Sequence, residues 1–250
     1  MAVSIKSARE IELMREAGKR LAHVHQELEA MIAPGISTWE IDAKGEKLIR
    51  DCGCIPNFLH YNGYPASICV SVNDEVVHGI PRKDRYLKEG DIVSLDAGLI
   101  YKGYHSDAAR THAVAKVSTE AQKLMDVTKQ SFFEGIKMAK EGQHLHDISR
   151  AIEEYVTPYG YGIVRDLVGH GIGTALHEDP QIPNYAQKRR GVRLQAGMTL
   201  AIEPMINAGT WQVRFLRDGW TVVTKDGSLS AHYENTILVT DGEPEILTLY

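Results

Sequence analysis

Four carboxylates stand in apolar, strand-like text where acidic residues are costly. Asp96 lies in Ile92-Val93-Ser94-Leu95-Asp96-Ala97-Gly98, and Asp107 follows Gly103-Tyr104-His105-Ser106. Glu203 lies in Leu200-Ala201-Ile202-Glu203-Pro204-Met205, and Glu234 opens Glu234-Asn235-Thr236-Ile237-Leu238-Val239. Asp and Glu are poor strand formers and are almost never fully buried unpaired. For any one of them, an ion pair with a buried arginine is an equally good reading. For all four, no matching set of arginines is evident in the neighbouring text. Asp96 and Asp107 are eleven positions apart, with Gly98 and Gly103 between them. That spacing suits two antiparallel strands joined by a short turn. Acids brought together in this way raise one another's pKa. Divalent cations remove that penalty, and two of them balance four negative charges.

A nitrogen donor is available at His170, in Gly169-His170-Gly171-Ile172-Gly173-Thr174-Ala175-Leu176-His177-Glu178. The glycines let backbone approach closely around the imidazole. His177 lies too far along for a two-ligand helical clip, so the two histidines are expected to do different jobs. A solvated loop histidine stays open for His177, and a satisfied core histidine for His78, between Val77 and Gly79. Oxygen donors with a single imidazole favour Mn²⁺, Fe²⁺ or Co²⁺ over a thiolate zinc site. A pair of such ions can bridge and activate a water, orient an amine and polarise a carbonyl. Those are the requirements of peptide-bond hydrolysis at a free N-terminus. Cys52 and Cys54 as a metal clip lack a second pair. With Cys69 they make three cysteines, which argues against a disulfide framework and for a reducing compartment.

The elements that must position these groups are partly legible. Ser7-Ala8-Arg9-Glu10 is a capping box. Ile11, Met14, Leu21, Val24, Leu28 and Met31 then recur on one helical face, with Pro34-Gly35 as the stop. Ser37-Thr38-Trp39-Glu40 opens a second helix carrying Ile41, Leu48 and Ile49. Strands are expected at Ile68–Val72, Ile92–Leu95 and, by alternation, Thr111–Val117. The second half then starts over: STEAQKLM from Ser118 echoes SAREIELM from Ser7. Gly35…Glu40-Ile41…Gly53 is matched by Gly142…Asp147-Ile148…Gly160, and each half reaches a His-Gly-Ile, at His78 and at His170. The pattern predicts one α+β unit built by duplication of roughly 1–117 and 118–250, with a cleft between the halves. Chance similarity between amphipathic helices is the alternative.

The chain has 250 residues, 43% hydrophobic and 24% charged, with a formal net charge of −5. That material supports a sizeable core and shows no basic footprint for nucleic acid. The text at the N-terminus has no signal-peptide apolar run, and no window reaches the roughly 18 apolar residues needed to cross a membrane. A cytoplasmic location is expected.

The chain resembles the type I methionine aminopeptidases of the short bacterial form along nearly its whole length. The matching text includes Pro34-Gly35-Ile36-Ser37-Thr38, Asn73-Asp74-Glu75-Val76-Val77-His78-Gly79-Ile80-Pro81 and Ser94-Leu95-Asp96-Ala97-Gly98. It continues with Gly103-Tyr104-His105-Ser106-Asp107, the Gly169–His177 segment, Ile202-Glu203-Pro204 and Arg217-Asp218-Gly219-Trp220. The resemblance implies a pita-bread fold: two pseudo-symmetric halves of antiparallel sheet covered by helices around a central dinuclear site. It implies two divalent ions (Co, Mn, Fe or Zn) held by Asp96, Asp107, His170, Glu203 and Glu234, with Asp107 and Glu234 bridging. Glu203 would also take a proton from the activated water. His177 would hydrogen-bond the substrate carbonyl, and His78 would contact the substrate near the scissile amide. Tyr61, Tyr64, Cys69 and Trp220 would form a methionine pocket. The activity implied is removal of the initiator methionine from nascent chains whose second residue is small and uncharged. A monomer is expected, with the ribosome as a possible contact and no direct binding to nucleic acid or membrane.

Three positions depart from the family text: Phe58, Leu167 and Leu176, which bear on pocket shape. Ala2 would make the chain's own Met1 a substrate. Two rivals stand beside this reading. One is a proline-directed relative such as a prolidase or aminopeptidase P. The other is a non-catalytic pita-bread binding protein, which should have lost metal ligands.

Overall fold

The computed structural model describes residues 3–250, so the expectation about Met1 and Ala2 lies outside the described residues. Helix α1 (Ala8–Glu29) starts where the first capping box places it. The Ser7 hydroxyl accepts from the Glu10 amide, and the Glu10 carboxylate accepts from the Ser7 amide at 2.7 Å. The helix ends at Glu29, before Pro34-Gly35, and Met31 is left only partly buried. Helix α2 (Thr38–Asp51) repeats the device with Ser37 and Glu40.

Strands β1 (Ile55–Pro56), β2 (Ile68–Val72), β3 (Glu75–Val77), β4 (Ile92–Tyr101) and β5 (Tyr104–Ala113) follow. The second half opens with α3 (Thr119–Ile136), capped by Ser118, and α4 (Leu145–Val156), whose first turn carries Asp147. Then come β6 (Gly162–Ile163), β7 (Gly169–Gly171), β8 (Glu178–Ile182), β9 (Thr199–Ile202) and β10 (Met205–Asn207). The chain closes through β11 (Val213–Phe215), β12 (Val222–Thr224), β13 (Ser230–His232), β14 (Glu234–Leu238) and β15 (Glu245–Ile246).

The expected strand over Thr111–Val117 is corrected. β5 begins at Tyr104 and ends at Ala113, because its register is set by the hairpin with β4, where Tyr101 faces Tyr104. The two turn residues, Lys102 and Gly103, both have positive φ (48° and 87°). That is the mirror-image turn whose twist matches paired strands. Two residues past the strand end, Ala115 has φ 56°, which the extended conformation of a strand does not allow.

Antiparallel sheet is present in both halves, and the halves are continuous. One nine-stranded sheet runs β1-β4-β5-β14-β9-β7-β8, with β2 added on β4 and β15 on β14. The seam is narrow: β5 pairs with β14 only at Ala109–Glu234 and Ala108–Asn235. Thr236 fastens it, its hydroxyl accepting from the Asp107 amide and donating to the Asp107 carbonyl at 3.0 and 2.8 Å. Two three-stranded sheets, β13-β10-β6 and β11-β12-β3, complete the fold.

Each helix pair buries its apolar stripe on its own part of the sheets. Leu21, Val24 and Leu28 of α1 and Ile41 and Ile49 of α2 pack with Val70, Leu95 and Leu99. Leu124 and Phe132 of α3 and Ile148 and Ile152 of α4 pack with Leu200, Ile202 and Ile237. Each such side chain contributes about 1.5–3 kcal/mol on burial. The covered sheet is therefore a rigid platform whose other face can carry polar groups. No helix among the described residues is long and apolar enough to cross a membrane.

Candidate metal centre and substrate pocket

Five neighbouring strands each deliver one of the five expected ligands: Asp96 from β4, Asp107 from β5, Glu234 from β14, Glu203 at the end of β9 and His170 from β7. Asp96 faces Ala109 across the β4–β5 hairpin and Asp107 faces Gly98. The two acids are thus diagonal neighbours on one face. Ala109 in turn faces Glu234 across the seam, and His170 faces Ala201 on β9. All five side chains line one cavity of about 270 Å³. Asp107, Glu234 and His170 are 5%, 2% and 6% exposed, while Asp96 and Glu203 are partly open to the cavity.

Buried arginine does not explain these acids. Arg110 lies behind the seam, but its guanidinium donates to the carbonyls of Ala109, Glu234 and Thr248 and to Asn235 Oδ1. The carboxylates face one another instead. Burial lifts the Asp96 carboxyl to about 7. Burial, then the charges of Asp96 and Glu203, push Asp107 up; burial and Asp96 do the same to Glu203. Burial and the other three acids raise Glu234. Burial, aided by His177, lowers His170 to about 3, so its ring is neutral and free to ligate.

The donors suit cations. Asp107, His170 and Glu234 offer ligand atoms that all lie within 4.8 Å of one another, and so do Asp96, His232 and Glu234. Asp96 Oδ1 and Glu234 Oε1 are buried without a hydrogen-bond partner, which is costly unless something else satisfies them. His170 Nε2 stands 3.5 Å from Glu203 Oε1. The residues therefore fit a pair of divalent ions sharing Glu234. Cys52 and Cys54 are free thiols and belong to neither group.

The other wall of the cavity is aromatic. Tyr64 and Trp220 meet edge to face at 5.1 Å, and His78 lies 6.2 Å from the Trp220 ring. The Tyr64 hydroxyl donates to the Gly79 carbonyl at 2.9 Å. Cys69 faces Asp96 across β2 and β4 and is buried at the pocket floor. His78 itself has φ 58°, a left-handed backbone that swings its ring toward the cavity it lines. Burial and then the neighbouring His177 lower its pKa to about 4.

His177 sits with its ring 4.3 Å from that of His170. Tyr61 Oη is 2.8 Å from His177 Nδ1. The next residue, Glu178, pairs with Lys6 at 2.6 Å and ties this loop to the N-terminal segment. Phe58, Leu167 and Leu176, the three departures from the family text, all line the cavity. The structure thus brings every expected site residue to one place.

Sequence reasoning missed His232, which lines the same cavity. A signal was present: it stands two residues before Glu234, and alternate strand residues share a face.

Fold and donor set together define a metal-dependent hydrolase of the pita-bread class. The sequence model of metallopeptidase family M24 matches residues 12–241. The methionine aminopeptidase of Clostridium acetobutylicum is 53% identical over 247 residues, covering 99% of both chains. Methionine aminopeptidase 1 of Bacillus subtilis is 51% identical, over 97% of this chain and 98% of its own. The crystal structure of a methionine aminopeptidase from Thermotoga maritima superposes with a TM-score of 0.97 at 46% identity, over the whole of both chains. The chain belongs to metallopeptidase family M24 and, within it, to the bacterial type I methionine aminopeptidases.

Proposed function

We propose that this protein removes the N-terminal methionine from nascent chains whose second residue is small and uncharged. The observation that carries the reading is the joining of two walls in one cavity. Five sheet strands supply a carboxylate-rich donor set opposite an apolar, aromatic recess. Asp96, Asp107, His170, Glu203 and Glu234 would hold two divalent cations. Those cations supply the Lewis acidity that polarises a carbonyl and makes water acidic near neutral pH.

The protein's own groups do the rest. Glu203, partly open to the cavity and raised in pKa by burial and Asp96, takes the proton of the attacking water. The same carboxyl then returns it to the leaving amine. With the Tyr61 phenol donating to His177 Nδ1, 2.8 Å away, the His177 proton would stand on Nε2. That N–H donates to the substrate carbonyl oxygen as it becomes tetrahedral. His78, neutral through burial, contacts the substrate beside the scissile amide. Tyr64, Cys69 and Trp220 surround a flexible thioether, which aromatic edges and a thiol accommodate well. Phe58, Leu167 and Leu176 complete the apolar lining around it.

We read the chain as a single catalytic domain in which 1–117 and 118–250 descend from one ancestor. The matched order of capped helix, second helix, left-handed glycine and His-Gly-Ile supports that reading. A cytoplasmic monomer acting on chains as they leave the ribosome fits the same activity. The proline-directed rival has no support among the relatives above, and the non-catalytic rival is disfavoured because all five ligand positions are filled.

The test is hydrolysis of Met-Ala-Ser and Met-Lys-Ser by chelator-treated protein with Mn²⁺ or Co²⁺ restored. Methionine should be released from the first peptide only, and only with metal. Absence of release from Met-Ala-Ser with either metal, in folded protein, would overturn the reading.

A further inference from the structure

His232 ends β13 two residues before Glu234, and its side chain is 2% exposed. Its Nε2 lies 3.8 Å from Glu234 Oε2 and 4.0 Å from Glu203 Oε2. Those separations are too long for hydrogen bonds, and neither ring nitrogen has a partner. Two ligands each about 2.1 Å from one cation stand roughly 3–4 Å apart, the spacing found here. The group Asp96, His232 and Glu234 also mirrors the group Asp107, His170 and Glu234: two acids and one imidazole, with Glu234 common to both.

We propose that His232 is a sixth protein ligand, its Nε2 donating to the cation held by Asp96 and Glu234. Each cation of the pair then has one imidazole nitrogen. The inference rests on the two-cation reading above and deepens it. Without His232 the Asp96 side of the centre is entirely oxygen, a set suited to hard ions. With it, that side gains a donor that favours Co²⁺ and Zn²⁺ over Mn²⁺. A ligating histidine commonly donates its other N–H to a water or an acceptor. His232 also lines a second cavity of about 400 Å³, walled in part by Arg110, His112 and Tyr233, with room for such a water.

The test needs no peptide. Metal-free protein is titrated with Co²⁺ and with Mn²⁺ by calorimetry, and the visible absorption of the Co²⁺ protein is followed at one and two equivalents. The wild type is measured beside His232→Gln, the smaller His232→Asn, and His170→Gln. In both His232 variants, one Co²⁺ equivalent should weaken roughly ten- to hundredfold and lose part of its absorption. The other should bind as in the wild type, which also shows that the variant is folded, and the preference for Co²⁺ over Mn²⁺ should fall. His170→Gln should weaken the opposite equivalent. Two Co²⁺ equivalents of wild-type affinity and spectrum in either His232 variant would overturn the proposal alone. Failure of the wild type to take up two cations would overturn the two-cation reading, and the proposal with it.

Discussion

Replacing Tyr61 by Phe deletes one hydroxyl at the edge of the cavity and leaves the ring in place. That hydroxyl is 2.8 Å from His177 Nδ1, and the rings stand 5.5 Å apart. A neutral hydrogen bond of this kind is worth about 0.5–1.5 kcal/mol, which corresponds to about two- to twelvefold in rate. If the phenol fixes the tautomer and tilt of His177, kcat for Met-Ala-Ser should fall by that factor. KM should move little, because the Phe ring still covers the recess. His177→Ala removes the donor itself and should cost on the order of 10²–10³ in kcat. The double variant decides the matter. With His177 gone there is nothing for the hydroxyl to orient, so Tyr61→Phe should then have no further effect. The assay is initial-rate methionine release from metal-loaded protein, with kcat and KM separated for all four proteins. A Tyr61→Phe loss of equal size in both backgrounds, or one confined to KM, would refute the orienting role.

Other expectations follow from the same geometry. Glu203→Gln should lower kcat/KM by about 10²–10⁴ while circular dichroism shows the fold unchanged; a loss under tenfold would remove Glu203 from the proton-transfer role. Saturating Mn²⁺ at about a hundred times its dissociation constant should add about 2.7 kcal/mol, or about 5–10 °C in Tm, to chelated protein. In that chelated protein the cluster acids have folded pKa values above their unfolded ones, Asp96 at about 7. Their stabilising effect is therefore full below about pH 4 and is lost as pH rises through the folded values. Thermal unfolding of chelated protein should show Tm falling between pH 5 and 8, with the gain on adding Mn²⁺ growing over the same range; a flat profile would contradict the clustering. Gly171→Ala should cost about 1–3 kcal/mol, since its Cβ would meet the Asp179 carbonyl oxygen at 2.2 Å. Because β7 carries His170, calorimetry on this variant should also show weakened metal binding, and unchanged binding would argue that the strand yields.

What the sequence determined by itself was the local part. Ser7-to-Glu10 and Ser37-to-Glu40 form their capping boxes because donor and acceptor are three residues apart, whatever surrounds them. The Asp96 and Asp107 pair meets because Lys102 and Gly103 permit the tight turn between their strands. Resemblance then named the remaining site residues, and the folded chain places them around one cavity.

Other features were set by long-range packing. The strand expected over Thr111–Val117 is real only as far as Ala113 and starts earlier, at Tyr104, because alternation of residue types is blind to the hairpin register imposed from the other end of the strand. His232 shows in its own text only its place two residues before Glu234; that its imidazole is buried with both nitrogens unpartnered was set by the fold. Its environment depends on Asp96, which lies far away in sequence. The seam between β5 and β14 is two residue pairs plus Thr236, yet it joins the acids of the first half to those of the second. Only the folded chain could decide that seam. It pairs Ala109 and Ala108 of the first half with Glu234 and Asn235 of the second, and the burial that holds such distant segments together is non-directional and leaves no record along the sequence.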